Sequence, residues 1–77
     1  MSKSIFYHAG CSVCVSVEHD IINLIGADHV EIVNIGINKS KILEAEQAGV
    51  ESVPALVTPN GNTLHINFGA SIADLKG

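Results

Sequence analysis

The chain has no arginine and no tryptophan, and only one tyrosine and two phenylalanines among its 77 residues. Without arginine, and with four lysines against eight acids, the net charge is −4. A protein that binds nucleic acid neutralises phosphates with a basic stripe, so the composition speaks against that partner. So few aromatics leave a hydrophobic interior to aliphatic side chains. No apolar run approaches the ~20 residues that a membrane-spanning helix needs, and a membrane partner is not expected. Met1-Ser2-Lys3-Ser4 leads directly into a strand-like segment, with no apolar stretch and cleavage site of a signal peptide. A cytoplasmic location is the expectation. Two cysteines can make neither a multi-disulfide secreted scaffold nor a four-cysteine zinc site.

What is present is a globular composition, 47% hydrophobic and 16% charged. That length and composition suit one domain across residues 1–77, with no linker, repeat or low-complexity stretch. Ser4-Ile5-Phe6-Tyr7-His8 is short and rich in strand formers. Val13, Val17, Ile21 and Leu24 then recur at helical spacing, and Gly26 supplies a stop. Val30 to Ile35 reads as a second strand. Asn38 or Ser40 can cap a helix from Lys41 to Ala48, with Glu44-Ala45-Glu46 as a solvated face and Gly49 at its end. Ala55 to Thr58 is a third strand. Pro59-Asn60-Gly61-Asn62 turns it into a fourth, Thr63 to Phe68, in which Leu64, Ile66 and Phe68 alternate with Thr63, His65 and Asn67. Gly69-Ala70 breaks that strand, and Ser71-x-x-Asp74 opens a last short helix. The order β-α-β-α-β-β-α predicts an α/β fold: a mixed four-stranded sheet, strands one and two parallel, three and four antiparallel, helices on its faces.

Cys11 and Cys14 are spaced C-x-x-C where the first strand gives way to the first helix. The first turn of a helix has free N–H groups and partial positive charge, which stabilise an anion. A thiolate is the attacking form of cysteine, and this position favours it. Cys14 follows on the same side of the helix, its Cα about 5–6 Å away, within disulfide range. Cys11 is therefore placed to attack and Cys14 to resolve a mixed disulfide. By itself the pair is equally open to chance or to metal binding.

The second half of the chain adds Ser52-Val53-Pro54-Ala55-Leu56-Val57, a proline at the start of an apolar strand. Strand, C-x-x-C, helix and a later Val-Pro before a hairpin resemble the thioredoxin superfamily over essentially the whole chain, and its small glutaredoxin branch in size. The resemblance implies a thioredoxin-like fold, from which this chain departs in a truncated C-terminal helix with room for barely two turns. It also implies a cis Val53–Pro54 bond facing the dithiol, with the Val53 backbone docking an extended substrate. Gly69, Ala70, Ser71 and Asp74 are similar to the glutaredoxin segment that contacts glutathione. Here Ala70 stands for its second glycine, and one residue is added before Asp74. Ser12-Val13 replaces the Pro-Tyr usual between glutaredoxin cysteines, and the tryptophan and Gly-Pro of thioredoxins are missing.

His8 ends the first strand three residues before Cys11. It is either a protonatable helper of the thiolate or a plain strand-end histidine. Ser12 either donates to the Cys11 sulfur or caps the helix locally. His19, His29 and His65 read as surface residues and Tyr7 as sheet packing. The activity implied is a thiol–disulfide oxidoreductase that reduces protein or glutathione mixed disulfides. It would need no bound cofactor, and glutathione or a reductase would return its electrons. The alternative is a copper-chaperone-like carrier holding Cu(I) on the same two soft thiolates. Such carriers place a methionine two residues before the first cysteine, where this chain has Ala9.

Overall fold

Residues 3–76 are described by a computed structural model, the side chains of Asn67, Phe68 and Lys76 excepted. The elements in chain order are β1 (Ser4–His8), α1 (Ser12–Ile25), β2 (Val30–Asn34), α2 (Lys41–Gln47), β3 (Ser52–Val57), β4 (Thr63–Ser71) and α3 (Ile72–Lys76). A 3-10 turn, Ala27–His29, joins α1 to β2. The sheet order is β2-β1-β3-β4. β1 runs parallel to β2, from Ser4 opposite Val30 to His8 opposite Asn34. It runs antiparallel to β3, with Phe6 opposite Leu56, and β4 is antiparallel to β3. The mixed four-stranded sheet expected from the element order is present. Among the described residues no helix is long and apolar enough to cross a membrane.

The alternation of β1 divides the interior into two clusters. Phe6 is fully buried and packs with Ile21, Val30 and Leu56, joined by Val17, Ile22 and Ile25 of α1. Tyr7 points the other way, among Val33, Ile35, Ile42, Ala45, Val53 and Ile72. α1 thus covers one face and α2 with α3 the other, and each buried aliphatic or aromatic side chain contributes about 1.5–3 kcal/mol. The Tyr7 hydroxyl donates to Glu44 Oε2 at 2.8 Å. Burial first, and this bond second, keep the phenol protonated well above its usual range. The same bond holds the Glu44 carboxyl below the usual carboxylate range.

Several local expectations are corrected. The buried stripe of α1 runs through Cys14, Val17, Ile21 and Ile25, while Leu24 is 82% exposed. Ser40 occupies the N-cap of α2 but makes no side-chain cap bond; its hydroxyl donates to Asn38 Oδ1 instead. Ala45 is buried and Glu44 holds Tyr7, so the solvated face of α2 is narrower than Glu44-Ala45-Glu46. β3 begins at Ser52, two residues before Pro54. β4 does not break at Gly69 but continues to Ser71, because Val53 pairs with Ala70 and Ser52 with Ser71. Pro54 has no N–H for the ladder, and the register shifts there. Leu64 is exposed against the expected alternation. The Asn67 and Phe68 part of that pattern lies outside the described side chains. Ser71 Oγ accepts from Asp74 N–H at 3.1 Å, as the Ser71-x-x-Asp74 spacing predicts.

Candidate functional site

The site begins at Gly10, whose φ of 77° lies in the left-handed region and turns the chain out of β1. Cys11 follows as the N-cap of α1, in extended conformation. Its Sγ accepts the Cys14 N–H at 3.1 Å, so the sulfur takes the place usually filled by a serine or aspartate oxygen. Cys11 is half-buried and Cys14 fully buried behind it. Burial raises the Cys14 thiol above its ordinary value, and a hydrogen bond to Cys11 raises it further. One sulfur faces outward and the other is held behind it as a thiol.

Two strands converge on this pair. The Val53–Pro54 peptide is cis, and both residues are fully buried. A Cβ placed on Gly69 would lie 2.5 Å from Cys11 Sγ, 3.1 Å from the Val53 carbonyl oxygen and 3.4 Å from Cys14 Sγ. No other residue fits there without displacing the sulfur or the strand. Gly69 therefore borders both sulfurs, a role that its place in a glutathione-like motif did not describe. Ala70 and Ser71 lie in the β3–β4 ladder, Ser71 already capping α3, and Asp74 is exposed in the first turn of α3. Val53 is opposite Ala70 in the β3–β4 ladder, and the register shifts just after it.

His8, read from the sequence as either a thiolate helper or a strand-end histidine, is buried at the end of β1. Its Nδ1 accepts the Gly10 N–H at 3.1 Å. Its Nε2 lies 3.6 Å from Glu18 Oε1, and its ring stacks on Phe6 with centroids 5.7 Å apart. An Nδ1 that accepts is unprotonated, which puts the ring proton on Nε2, toward Glu18. Burial lowers the His8 pKa, only partly offset by Glu18. His8 thus braces the turn before Cys11, where burial favours its neutral form. Ser12 is exposed at the start of α1, and the donor to Cys11 Sγ is the Cys14 backbone. Glu18 as the partner of His8 was not foreseen, and no spacing rule signals a contact between a strand end and a helix ten residues on. Asn34 was also missed. Its Oδ1 accepts from Gly36 and Ile37 N–H at 2.9 and 3.3 Å, a turn that an asparagine two residues before Gly36 could have suggested.

Among the described residues no group of three or more His, Cys, Asp or Glu side chains is placed to hold a metal ion. The two cysteines are the metal-binding atoms the site offers. Neither a protein-family model nor a curated protein matches the chain. Among solved structures it is similar to a dimeric thioredoxin-like protein from Nitrosomonas europea, determined in solution by NMR. The two are 60% identical with a TM-score of 0.88, over 99% of this chain and 96% of that one.

Proposed function

Since the chain belongs to the thioredoxin-like family, we propose that it is a small thiol–disulfide oxidoreductase acting through Cys11 and Cys14. The observation that carries this reading is the pair itself: a half-buried sulfur capped by a helix N–H, over a buried thiol, with Gly69 and Val53 closed against it. The Cys11 thiolate attacks one sulfur of a substrate disulfide. The S–S bond breaks, one half leaves as a thiolate, and the other half stays bonded to Cys11. Cys14 then loses its proton and attacks Cys11 Sγ. That releases the second half as a thiolate and leaves a Cys11–Cys14 disulfide, so two electrons have passed to the substrate. Burial of Cys14 suits this order, because a thiol held protonated does not compete for the first attack. Substrates are protein disulfides or glutathione mixed disulfides, and glutathione or a reductase restores the dithiol. A Cu(I) carrier would use the same sulfurs but has no need of a proline strand and a glycine closed on them.

In the test, Cys14→Ser accumulates a mixed disulfide with substrate or glutathione, detected by mass, and Cys11→Ser accumulates none. The reverse pattern, or tight copper binding without disulfide reduction, overturns the proposal. The dimeric state of the similar Nitrosomonas protein supports a second element of the reading: this chain also pairs with a second copy of itself.

A further inference from the structure

α2 and α3 cover one face of the sheet and leave a groove of about 300 Å³ between them, lined by Lys39, Ile42, Leu43, Glu46 and Leu75. Ile42 forms its buried floor, while Leu43 is 62% exposed at its lip. Lys39 stands two residues before the start of α2, its Nζ donating to the Leu75 carbonyl at 3.2 Å, and Glu46 stands one residue before the other end. The groove is apolar in the middle, cationic at one end and anionic at the other.

This arrangement is complementary to itself. If a second copy of α2 is laid antiparallel across the first about a twofold axis near Leu43, Lys39 meets the other copy's acid and Glu46 the other copy's lysine. Each Leu43 then lies over the opposite apolar floor. A twofold interface requires this reciprocity, in which each contact is made twice. Glu46 already has an interaction within its own protomer, and a carboxylate with two oxygens accepts more than one donor. We propose that the α2–α3 groove is the surface through which two copies of this chain associate, Leu43 filling the opposite groove and Lys39–Glu46 pairs closing both ends. The inference rests on the self-association reading above and assigns it a face. A stable interface takes about 800 Å² from each partner, close to a fifth of the 4521 Å² surface of this protein. The interface therefore extends from α2 over α3.

The experiment is sedimentation equilibrium on the intact chain across micromolar concentrations, with circular dichroism to confirm folding. The wild type is expected to dimerise, and Leu43→Lys to weaken the dimer at least tenfold. Leu24→Lys changes an exposed leucine of α1, on the opposite face, and is expected to leave the dimer intact. Lys39→Glu and Glu46→Lys each weaken association by about two- to fivefold, the range of exposed ion pairs, and the double reversal recovers most of the loss. A wild-type dimer indifferent to Leu43→Lys, or a double reversal no better than its single variants, overturns this face and leaves self-association standing. A wild type that stays monomeric overturns both.

Discussion

At Cys11 the decisive neighbour is a residue with no side chain. Gly69 leaves the space in which Cys11 Sγ reaches the Cys14 N–H. In Gly69→Ala the new methyl meets that sulfur and the Val53 carbonyl oxygen, and of the two the sulfur moves more easily. Loss of a bond of about 1.5 kcal/mol to a charged sulfur is expected to slow reaction with a small disulfide roughly tenfold. The urea midpoint shifts down as well, because overpacking costs about 1–3 kcal/mol. Stopped-flow reaction of the Cys14→Ser background separates the two effects, and an unchanged rate would mean that Gly69 serves the fold alone. His8 makes a prediction in pH. Its folded pKa is lowered, so the unfolded chain binds more protons, and the stability His8 gives is complete above about 6.5 and lost as pH falls from there toward the folded value. Urea midpoints measured from pH 7 to pH 5 are expected to fall more steeply in the wild type than in His8→Gln; parallel curves would refute the assignment.

At the level of elements, α1 is held by packing more than by propensity, since Val13, Val15, Val17, Ile21 and Ile22 are β-branched. Its contribution is concentrated where it meets the sheet. Ile21→Ala, which removes a nearly buried side chain packed with Phe6 and Leu56, is expected to cost about 2–5 kcal/mol. Leu24→Lys, on the exposed side of the same helix, is expected to change stability by no more than about 0.5 kcal/mol. Denaturant titration of the two variants checks which stripe faces the core, and equal losses would place Leu24 inside. The apolar spacing showed that a helix is here but not which of two adjacent stripes is buried. Val13-Val17-Ile21-Leu24 and Cys14-Val17-Ile21-Ile25 share two members and differ by a small rotation. That rotation is fixed by Cys14, drawn inward beneath Cys11.

For the whole molecule, a single sheet separates the two clusters, and its two central strands, β1 and β3, belong to both. A chain of this size buries only about 60% of its unfolded surface and is stable by about 5–10 kcal/mol. Neither cluster has the margin to persist alone. Phe6→Ala, on the α1 face, is therefore expected to lower the urea midpoint by about 3–5 kcal/mol equivalent. It should do so to the same extent by circular dichroism and by fluorescence of Tyr7, which sits on the other face. Separate midpoints would show two independent units.

The order of elements, the mixed sheet, the C-x-x-C at a helix start and the Val-Pro strand were all legible in the sequence. Each rests on local chemistry: strand formers, glycine stops, turn residues and the spacing of two thiols along one helix. The course of β4 was not, because Gly69-Ala70 reads locally as a break. It continues only because Val53 and Ser52 offer pairing partners across the sheet. Nor could local reading choose between the two roles open to His8, a helper of the thiolate or a plain strand-end histidine. Burial against Phe6 and the Gly10 N–H favour its neutral form, Glu18 opposes them in part, and all three contacts make it a brace of the turn. The sequence by itself determined where the two thiols stand, at the start of one helix and three residues apart, since that depends on residue types a few positions apart. Tertiary structure alone decided what surrounds the sulfurs, because burial and contact at Cys11 are set by strands more than forty residues away, at Val53 and Gly69.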